Sequence, residues 1–217
     1  MTDDEHVRMV RERFDDRAPT YDDSAMHRGL AAAVAAFIDL TDVEAMLDIA
    51  TGTGLVLRAL RDRGFDGPLT GVDLSPRMID EARRHLPDAE LLAADATSLP
   101  FPDASFDLVT CVTGLQLFPH PDAAIREWSR VLRPGGRAVT ATFLSVDPTR
   151  HGGAPSPGSA AGSTPGSAPG SSNHIPFASV ERLAETVGPA GFTIARSETW
   201  RDGADELLIA ELTASTR

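Results

Sequence analysis

The chain is poor in cysteine and in long apolar runs. Its 217 residues include one cysteine, Cys111, which cannot form an internal disulfide and is typical of a reducing compartment. The longest apolar candidate, residues 30–40, is shorter than the ~18 residues that a membrane span requires. The N-terminal stretch MTDDEHVRMVRERFDD is charged and lacks the apolar core of a signal peptide. These absences predict a cytoplasmic protein without a membrane span.

Basic residues are scarce relative to acidic ones. The chain has 20 Lys and Arg against 32 Asp and Glu, for a net charge of -12. Such a field repels phosphate backbones and anionic lipid surfaces, which disfavours a nucleic-acid or membrane partner. The six histidines lack the spacing of a zinc site, so no metal is predicted. A small molecule is therefore the expected partner, and the oligomeric state stays open.

Between residues 45 and 144, short apolar runs alternate with helical periods, as is typical of a parallel α/β sheet. Helices are predicted at 55–63, from Ser75-Pro76 onward and at 122–132, where Arg133-Pro134-Gly135-Gly136 is expected to stop the helix. Strands are predicted at 45–50, 68–72, 89–93, 106–112 and 137–143.

The C-terminal part completes the predicted fold. A helix around residues 180–187 precedes two strands, 192–200 and 206–213, that are close enough to pair as an antiparallel hairpin. We therefore predict an α/β fold, a Rossmann-like doubly wound seven-stranded sheet that is mostly parallel.

Residues 152–172 stand apart because they contain only Gly, Ala, Pro, Ser and Thr. Such a segment cannot bury enough apolar surface to offset its ordering entropy, so it predicts a flexible tether. The expected organisation is a single domain over residues 1–217. Its parts are an N-terminal helical cap (1–44), a cofactor-binding core (45–151), the tether (152–172), and the last helix with the hairpin (173–217).

The turn after the first strand, within MLDIATGTGLV, carries the clearest chemical signal. Gly52 and Gly54 allow backbone N–H groups to approach a ligand, since no Cβ obstructs them. Asp73, at the end of the second strand, lies 19 residues beyond Gly54 and could accept hydrogen bonds from ribose hydroxyls. The pattern predicts a cofactor that contains a nucleoside.

Two classes of cofactor are compatible with this turn. A nicotinamide or flavin dinucleotide prefers G-x-G-x-x-G, but Leu57 occupies the third glycine position, and Asp48 would repel a pyrophosphate. A cofactor with a cationic amino group would instead be attracted by Asp48, directly or through water. The residues favour the second class and leave a dinucleotide-dependent oxidoreductase as an alternative.

Four motifs, in this order, resemble the class I S-adenosylmethionine-dependent methyltransferases: LDIATGTG, GVDLSPRMIDEAR, AADATSLPFPDASFDLVTCVTGLQLF and REWSRVLRPGG. The nearest group contains the ubiquinone/menaquinone-biosynthesis C-methyltransferases. The resemblance covers residues 12–144 well and residues 174–213 more loosely. It implies S-adenosyl-L-methionine as cofactor and S-adenosyl-L-homocysteine as product, with C-, O- or N-methylation unresolved. A cofactor-binding module without catalysis is a second alternative.

The resemblance also assigns residues to the cofactor. The usual loop reads Gly-Cys-Gly-Thr-Gly, and here Ala50-Thr51 replace its first two residues. Asp48 and the loop would hold the methionine part, Asp73 the ribose, and Asp95 the adenine amine. The full expected set is Tyr21, Asp48, Ala50, Thr51, Gly52, Thr53, Gly54, Asp73, Leu74, Met78, Asp95, Ala96 and Thr113.

The acceptor side is less clearly marked. By the same resemblance, Gln116 and Phe118 would face the methyl-transfer cavity. Methyl transfer from a sulfonium requires alignment of the reactants and exclusion of water more than acid–base catalysis. If a base is used, His120 and His27 are the candidates. A small apolar or aromatic acceptor is expected, because several apolar residues should lie near the cavity: Leu115, Leu117, Phe118 and Phe143.

Overall fold

The computed structural model describes residues 2–146 and 177–214, which contain one seven-stranded sheet. Its strands are β1 (Met46–Ile49), β2 (Leu69–Asp73), β3 (Glu90–Ala93), β4 (Phe106–Val112), β5 (Leu132–Ser145), β6 (Phe192–Asp202) and β7 (Asp205–Ala214). The spatial order is β3-β2-β1-β4-β5-β7-β6. Strands β1 to β5 are parallel, and β7 runs antiparallel to both of its neighbours. The predicted fold class is confirmed.

Six α-helices accompany the sheet within the described ranges: α1 (Asp3–Arg17), α2 (Ala25–Phe37), α3 (Leu55–Asp62), α4 (Pro76–His85), α5 (Pro121–Val131) and α6 (Val180–Val187). The start of α4 is as predicted, because the Ser75 hydroxyl accepts a hydrogen bond from the Met78 N–H at 3.1 Å and Pro76 follows. Short 3-10 helices lie at Ala18–Asp23, Leu115–Leu117 and Gly188–Ala190. In the part of the chain that is described, no helix has the length and apolarity needed to cross a bilayer.

Two hydrophobic clusters cover the two faces of the sheet. Successive residues of β1 alternate between them, so that Met46 belongs to one cluster and Leu47 to the other. The first cluster contains the fully buried Trp128 of α5 and residues of α6, and the second contains residues of α2 and α3. Helices therefore pack on both faces, which leaves the strand ends as the place for a site.

The segment 133–136 differs from its prediction. Helix α5 does end at Val131, but β5 begins at once, because Leu132 already pairs with Phe106 of β4. The register then shifts so that Leu108 pairs with Arg137, and Gly135 adopts a φ of +83°. The proline and glycines thus form an irregularity inside the strand rather than a loop before it. The predicted tether, residues 152–172, lies outside the described residues.

The carboxyl ends of β1 and β4 meet in a strained arrangement. Ala50 and Thr113, which follow these strands, have φ values of +56° and +54°. This left-handed conformation costs a residue with a Cβ about 1–2 kcal/mol. A Cβ on Gly114 would lie 2.6 Å from the Cβ of Ala50 and 3.1 Å from the Cys111 sulfur. The two turns are therefore in direct contact, and Gly114 is required for it.

Replacing Gly114 by alanine is expected to lower the free energy of unfolding by about 1–3 kcal/mol, because the new methyl group must displace the backbone-fixed Cβ of Ala50. Gly188→Ala is the matched control, since no heavy atom lies within 4 Å of its added Cβ and its φ is -54°. The control should change stability by less than about 0.5 kcal/mol, or raise it slightly. Urea denaturation measures both variants. Equal stabilities would contradict the close contact.

Candidate functional site

A cavity of about 380 Å³ lies at the carboxyl ends of β1, β2 and β4. The strand order reverses between β1 and β4, which is the position where open parallel sheets bind ligands. Two residues named for the acceptor side, Phe118 and the candidate base His120, line this cavity. Most of the residues expected at the cofactor line it too: Tyr21, Ala50, Gly52, Asp73, Leu74, Met78, Asp95, Ala96 and Thr113.

A second, smaller cavity of about 40 Å³ adjoins the first. The two share part of their lining, including Tyr21, Gly52 and Thr113. Three more of the expected residues line only the smaller cavity: Asp48, Thr51 and His27. The site therefore has a large compartment and a small one, with Tyr21 bordering both.

Asp48 is a buried carboxylate beside the small compartment. The residue is 1% exposed, and one of its carboxylate oxygens accepts a hydrogen bond from the Thr110 hydroxyl at 2.6 Å. Burial raises the pKa of Asp48 to about 6. At neutral pH the carboxylate is ionised in surroundings that penalise its charge, so a cation in the small compartment would be strongly favoured.

Asp73 joins β2 to the glycine-rich turn. One carboxylate oxygen accepts the Gly52 N–H and the other accepts the Ser75 N–H, both at 2.8 Å. Burial raises the pKa of Asp73 to about 6, and these hydrogen bonds oppose that rise. A carboxylate has about four lone-pair sites, so acceptor capacity remains for a ligand hydroxyl beside these N–H groups and that of Leu74. The link to Gly52 was not predicted, because nothing in the local sequence indicates that these residues meet.

Asp95 is held in a local turn at the edge of the large compartment. One of its oxygens accepts the backbone N–H and the hydroxyl of Thr97, each at 2.8 Å. This arrangement is a common feature of loop aspartates. It fixes the direction of the carboxylate, which lines the cavity beside Ala96.

Three expected residues lie away from both cavities. The Thr53 hydroxyl donates to the Asp22 carboxylate at 2.5 Å. Gly54 caps α3, and a Cβ there would lie 2.9 Å from a methyl of Leu86, so this glycine permits close helix packing. The Gln116 amide folds back and donates to the Thr113 carbonyl at 2.7 Å, so this side chain does not face the cavity as expected.

The apolar residues expected near the cavity are divided in the same way. Leu117 and Phe118 line the large compartment. Leu115 is fully buried in the core and Phe143 is half-buried, and neither lines a cavity. Residues of one short segment face opposite sides there, because a 3-10 helix turns the chain at Leu115–Leu117.

The two histidine candidates have different surroundings. His120 lines the large compartment, and its Nε2 lies 2.9 Å from a carboxylate oxygen of Asp3. His27 stacks on Tyr21 with ring centroids 4.2 Å apart and borders only the small compartment. Of the two, His120 has the better position to receive a proton from a molecule in the large cavity.

Helix α1 covers the large compartment, and its cavity-facing residues are not among the predicted site residues. It has no buried residue and is held by side-chain contacts, such as the Ser75 hydroxyl donating to Asp15 at 2.6 Å. Its cavity-facing residues are Asp3, Asp4, Val7, Val10, Arg11 and Phe14. The helical spacing of Val7, Val10 and Phe14 on an otherwise charged helix was the signal that could have found them.

Two observations concern potential metal ligands and the cysteine in the described ranges. No group of three or more His, Cys, Asp or Glu side chains there is arranged to hold a metal ion. Cys111 is fully buried in β4, and burial raises the pKa of its thiol, so a reactive thiolate is disfavoured.

Comparison with known proteins gives a consistent result. The family described as "Methyltransferase domain" matches residues 47–140. A demethylmenaquinone methyltransferase of Renibacterium salmoninarum is 36% identical over 140 residues, which are 62% of this chain and 58% of the relative. A ubiquinone/menaquinone biosynthesis C-methyltransferase of Burkholderia cenocepacia is 33% identical over 160 residues, which are 68% of this chain and 66% of the relative. Across three demethylmenaquinone methyltransferases of this group, the chain spans between 41% and 58% of the relative's length.

A solved structure shares the fold. The magnesium protoporphyrin IX methyltransferase from Synechocystis PCC 6803, crystallised with bound S-adenosylmethionine, superposes with a TM-score of 0.69. The match covers 97% of both chains at 18% sequence identity. At this identity the likeness concerns the fold alone.

Replacing Asp48 by asparagine is expected to raise the free energy of unfolding of the ligand-free protein at neutral pH. The amide oxygen can still accept from Thr110, but no charge is buried. Burial raises the pKa of Asp48 from 3.8 in the unfolded chain to about 6 in the folded protein. Ionisation of Asp48 therefore does not destabilise the fold below the unfolded pKa, and it destabilises the fold fully above the folded pKa. The advantage of the variant should therefore grow as pH rises between them.

Asp107→Asn is a control of opposite sign. Although partly buried, Asp107 is held below its usual pKa by Arg133 and by the N–H groups of Ala45 and Glu44. Its ionised form stabilises the fold, so this variant should be less stable at neutral pH. Urea denaturation between about pH 4 and 7 measures both. A pH-independent effect of Asp48→Asn on stability would contradict the raised pKa of the buried Asp48 carboxylate.

Proposed function

The chain belongs to the class I S-adenosylmethionine-dependent methyltransferases, and from this premise we propose that it transfers the methyl group of S-adenosylmethionine to a small aromatic acceptor. The observation that carries the proposal is the pair of adjoining compartments at the carboxyl edge of the sheet. A buried carboxylate borders the small one, and hydrogen-bond acceptors with apolar neighbours border the large one.

The small compartment suits the amino-acid end of the cofactor. An ammonium group is close in size to a water molecule, and Asp48 supplies the negative charge that would compensate it. Burial of Asp48 without a cationic partner is costly, so a bound ammonium group relieves that cost. Tyr21 borders both compartments and would lie beside the junction between the amino acid and the nucleoside.

The large compartment suits the nucleoside and the acceptor. Asp73 has lone pairs for the ribose hydroxyls, and Asp95 and the Ala96 N–H are expected to meet the adenine edge. Leu74 and Met78 would supply apolar contacts to the ring, and Met78 is fully buried. These assignments rest on the lining of the cavity and on the motifs of the family.

The acceptor proposed here is a reduced quinone ring or a similar phenol. Apolar side chains line part of the large compartment, namely Val7, Val10 and Phe14 of α1 and Leu117 and Phe118 after β4, and charged residues of α1 line it beside them. Such surfaces favour a planar apolar ring. One curated relative is named a demethylmenaquinone methyltransferase and another a ubiquinone/menaquinone biosynthesis C-methyltransferase, which supports a quinone-type acceptor and methylation at carbon.

The chain contributes alignment, exclusion of water and a base. When bound, S-adenosylmethionine supplies a methyl group on a cationic sulfur, which departs as a neutral thioether. The covering helix α1 excludes water from the reacting groups. With the His120 Nε2–H donating to Asp3, the Nδ1 atom is the basic nitrogen that accepts a proton released by the acceptor.

Replacing Asp48 by asparagine is expected to weaken S-adenosylhomocysteine binding about tenfold or more, because the ammonium group loses its buried counter-charge. Adenosine lacks the amino-acid part, so its affinity should stay within about twofold of the wild type. Isothermal titration calorimetry of the full chain measures both ligands, and Asp62→Asn on the exposed face of α3 is the control. Equal losses for both ligands would contradict the assignment of the small compartment.

The acceptor class is tested by incubating the full chain with S-adenosylmethionine and a panel of hydroquinones, phenols, amines and carboxylic acids. We expect S-adenosylhomocysteine to form with hydroquinones, and mass spectrometry and NMR should place the new methyl group on carbon.

His120→Gln should lower kcat by about 10²-fold with a smaller change in the KM for cofactor. Turnover only with polar amines or acids would overturn the aromatic acceptor, and binding without turnover would indicate a non-catalytic module.

A further inference from the structure

We infer that Asp22 is a positioning residue that ties the Tyr21 segment to the glycine-rich turn and thereby sets the affinity for the cofactor. The inference rests on the proposed function, because it takes Tyr21 to lie beside the bound cofactor. Asp22 itself lines neither compartment. Its effect must therefore pass through the residues that it holds in place.

The Asp22 carboxylate joins parts of the chain that are distant in sequence. One oxygen accepts the Thr53 hydroxyl of the glycine-rich turn at 2.5 Å. The other is bound by the Arg58 guanidinium of α3, with the His85 ring at 3.9 Å. The Asp22 backbone carbonyl accepts from Arg28 of α2. One residue thus connects the segment before α2 with the turn and with helices on either side.

Tyr21 depends on such anchors because its own segment is short. The 3-10 helix Ala18–Asp23 has six residues, of which only Ala18 is buried. Tyr21 stacks on His27, and Arg17 lies 5.4 Å from the Tyr21 ring centre. A Cβ on Gly52 would lie 3.8 Å from the Tyr21 ring, so the ring sits directly over the turn. A shift of this segment would move Tyr21 away from the place where the two compartments join.

The electrostatic state of Asp22 suits this role. Despite its partial burial, hydrogen bonds from Thr53 and Arg58 hold the pKa of Asp22 below its usual value. The residue is therefore anionic at neutral pH, and both contacts are charge-assisted hydrogen bonds, which are stronger than neutral ones. Asparagine at this position keeps the size of the side chain but loses the charge and one acceptor.

The test compares Asp22→Asn with Asp23→Asn by calorimetric titration of S-adenosylhomocysteine into the full chain. The two variants remove the same charge from adjacent residues, and Asp23 is exposed and lines neither compartment. We expect Asp22→Asn to weaken binding about tenfold or more and Asp23→Asn by less than about twofold. Similar affinities for the two variants would overturn the inference.

A double-mutant cycle separates positioning from a general loss of structure. In a Tyr21→Ala background, Asp22→Asn should weaken binding by less than about threefold, because there is no ring left to position. Thr53→Val, which removes one donor and keeps the shape, should give a partial loss that also disappears in that background. Full additivity of Asp22→Asn and Tyr21→Ala would overturn the inference.

The same titrations distinguish this inference from the function on which it rests. If the wild-type chain does not bind S-adenosylhomocysteine, the proposed function fails. If the wild type binds and Asp22→Asn binds equally well, only the role of Asp22 fails. Thermal melts of each ligand-free variant show whether it is folded, and a folded Thr53→Val protein tests the contact even where Asp22→Asn does not fold.

Discussion

The candidate site is built around two carboxylates at neighbouring strand ends, of which Asp48 is fully buried and Asp73 is partly buried. Asp48 lies in β1 and Asp73 at the end of β2, with Asp48 directly opposite Gly71 in the register. Burial raises the pKa of both, so each ionised group destabilises the fold unless something compensates its charge. Asp73 is compensated in part by the N–H groups of Gly52 and Ser75, whereas Asp48 has the Thr110 hydroxyl. Both carboxylates thus carry a similar residual cost of ionisation, and a ligand that donates hydrogen bonds or positive charge beside either one would reduce it.

The floor of the cavity, formed by the strand ends, and its cover, helix α1, are held by different forces. The floor is rigid, because β1, β2 and β4 pair in register and the turns after β1 and β4 contact each other through Ala50 and Gly114. Residues in rarely populated backbone conformations, such as Ala50 and Thr113, persist only where the surroundings over-determine them. The cover, α1, buries no residue and is attached by polar side chains. It is expected to open at a lower free-energy cost than the sheet.

Much of the architecture could be predicted from local patterns. The bounds of β4 agree at both ends, and the Ser75-Pro76 start of α4 follows from capping preferences alone. The segment 133–136 was misread because proline and glycine indicate a break, while pairing of Leu132 with Phe106 extends the strand across it. The Thr53 and Gln116 side chains were expected at the cavity, but each finds a closer polar partner elsewhere. A motif gives the position of a residue along the chain and not the direction of its side chain.

The sequence by itself determined the alternation of strands and helices, the glycine-rich turn and the acidic residues at two strand ends, since these follow from periodicity and turn chemistry over a few neighbouring residues. Only the tertiary structure decided which helix covers the cavity, that His120 meets Asp3 across 117 positions, and that Asp22 reaches Thr53. The physical reason is that such contacts depend on how separate elements pack. Packing minimises exposed apolar surface over the whole chain, so no single stretch of sequence encodes it.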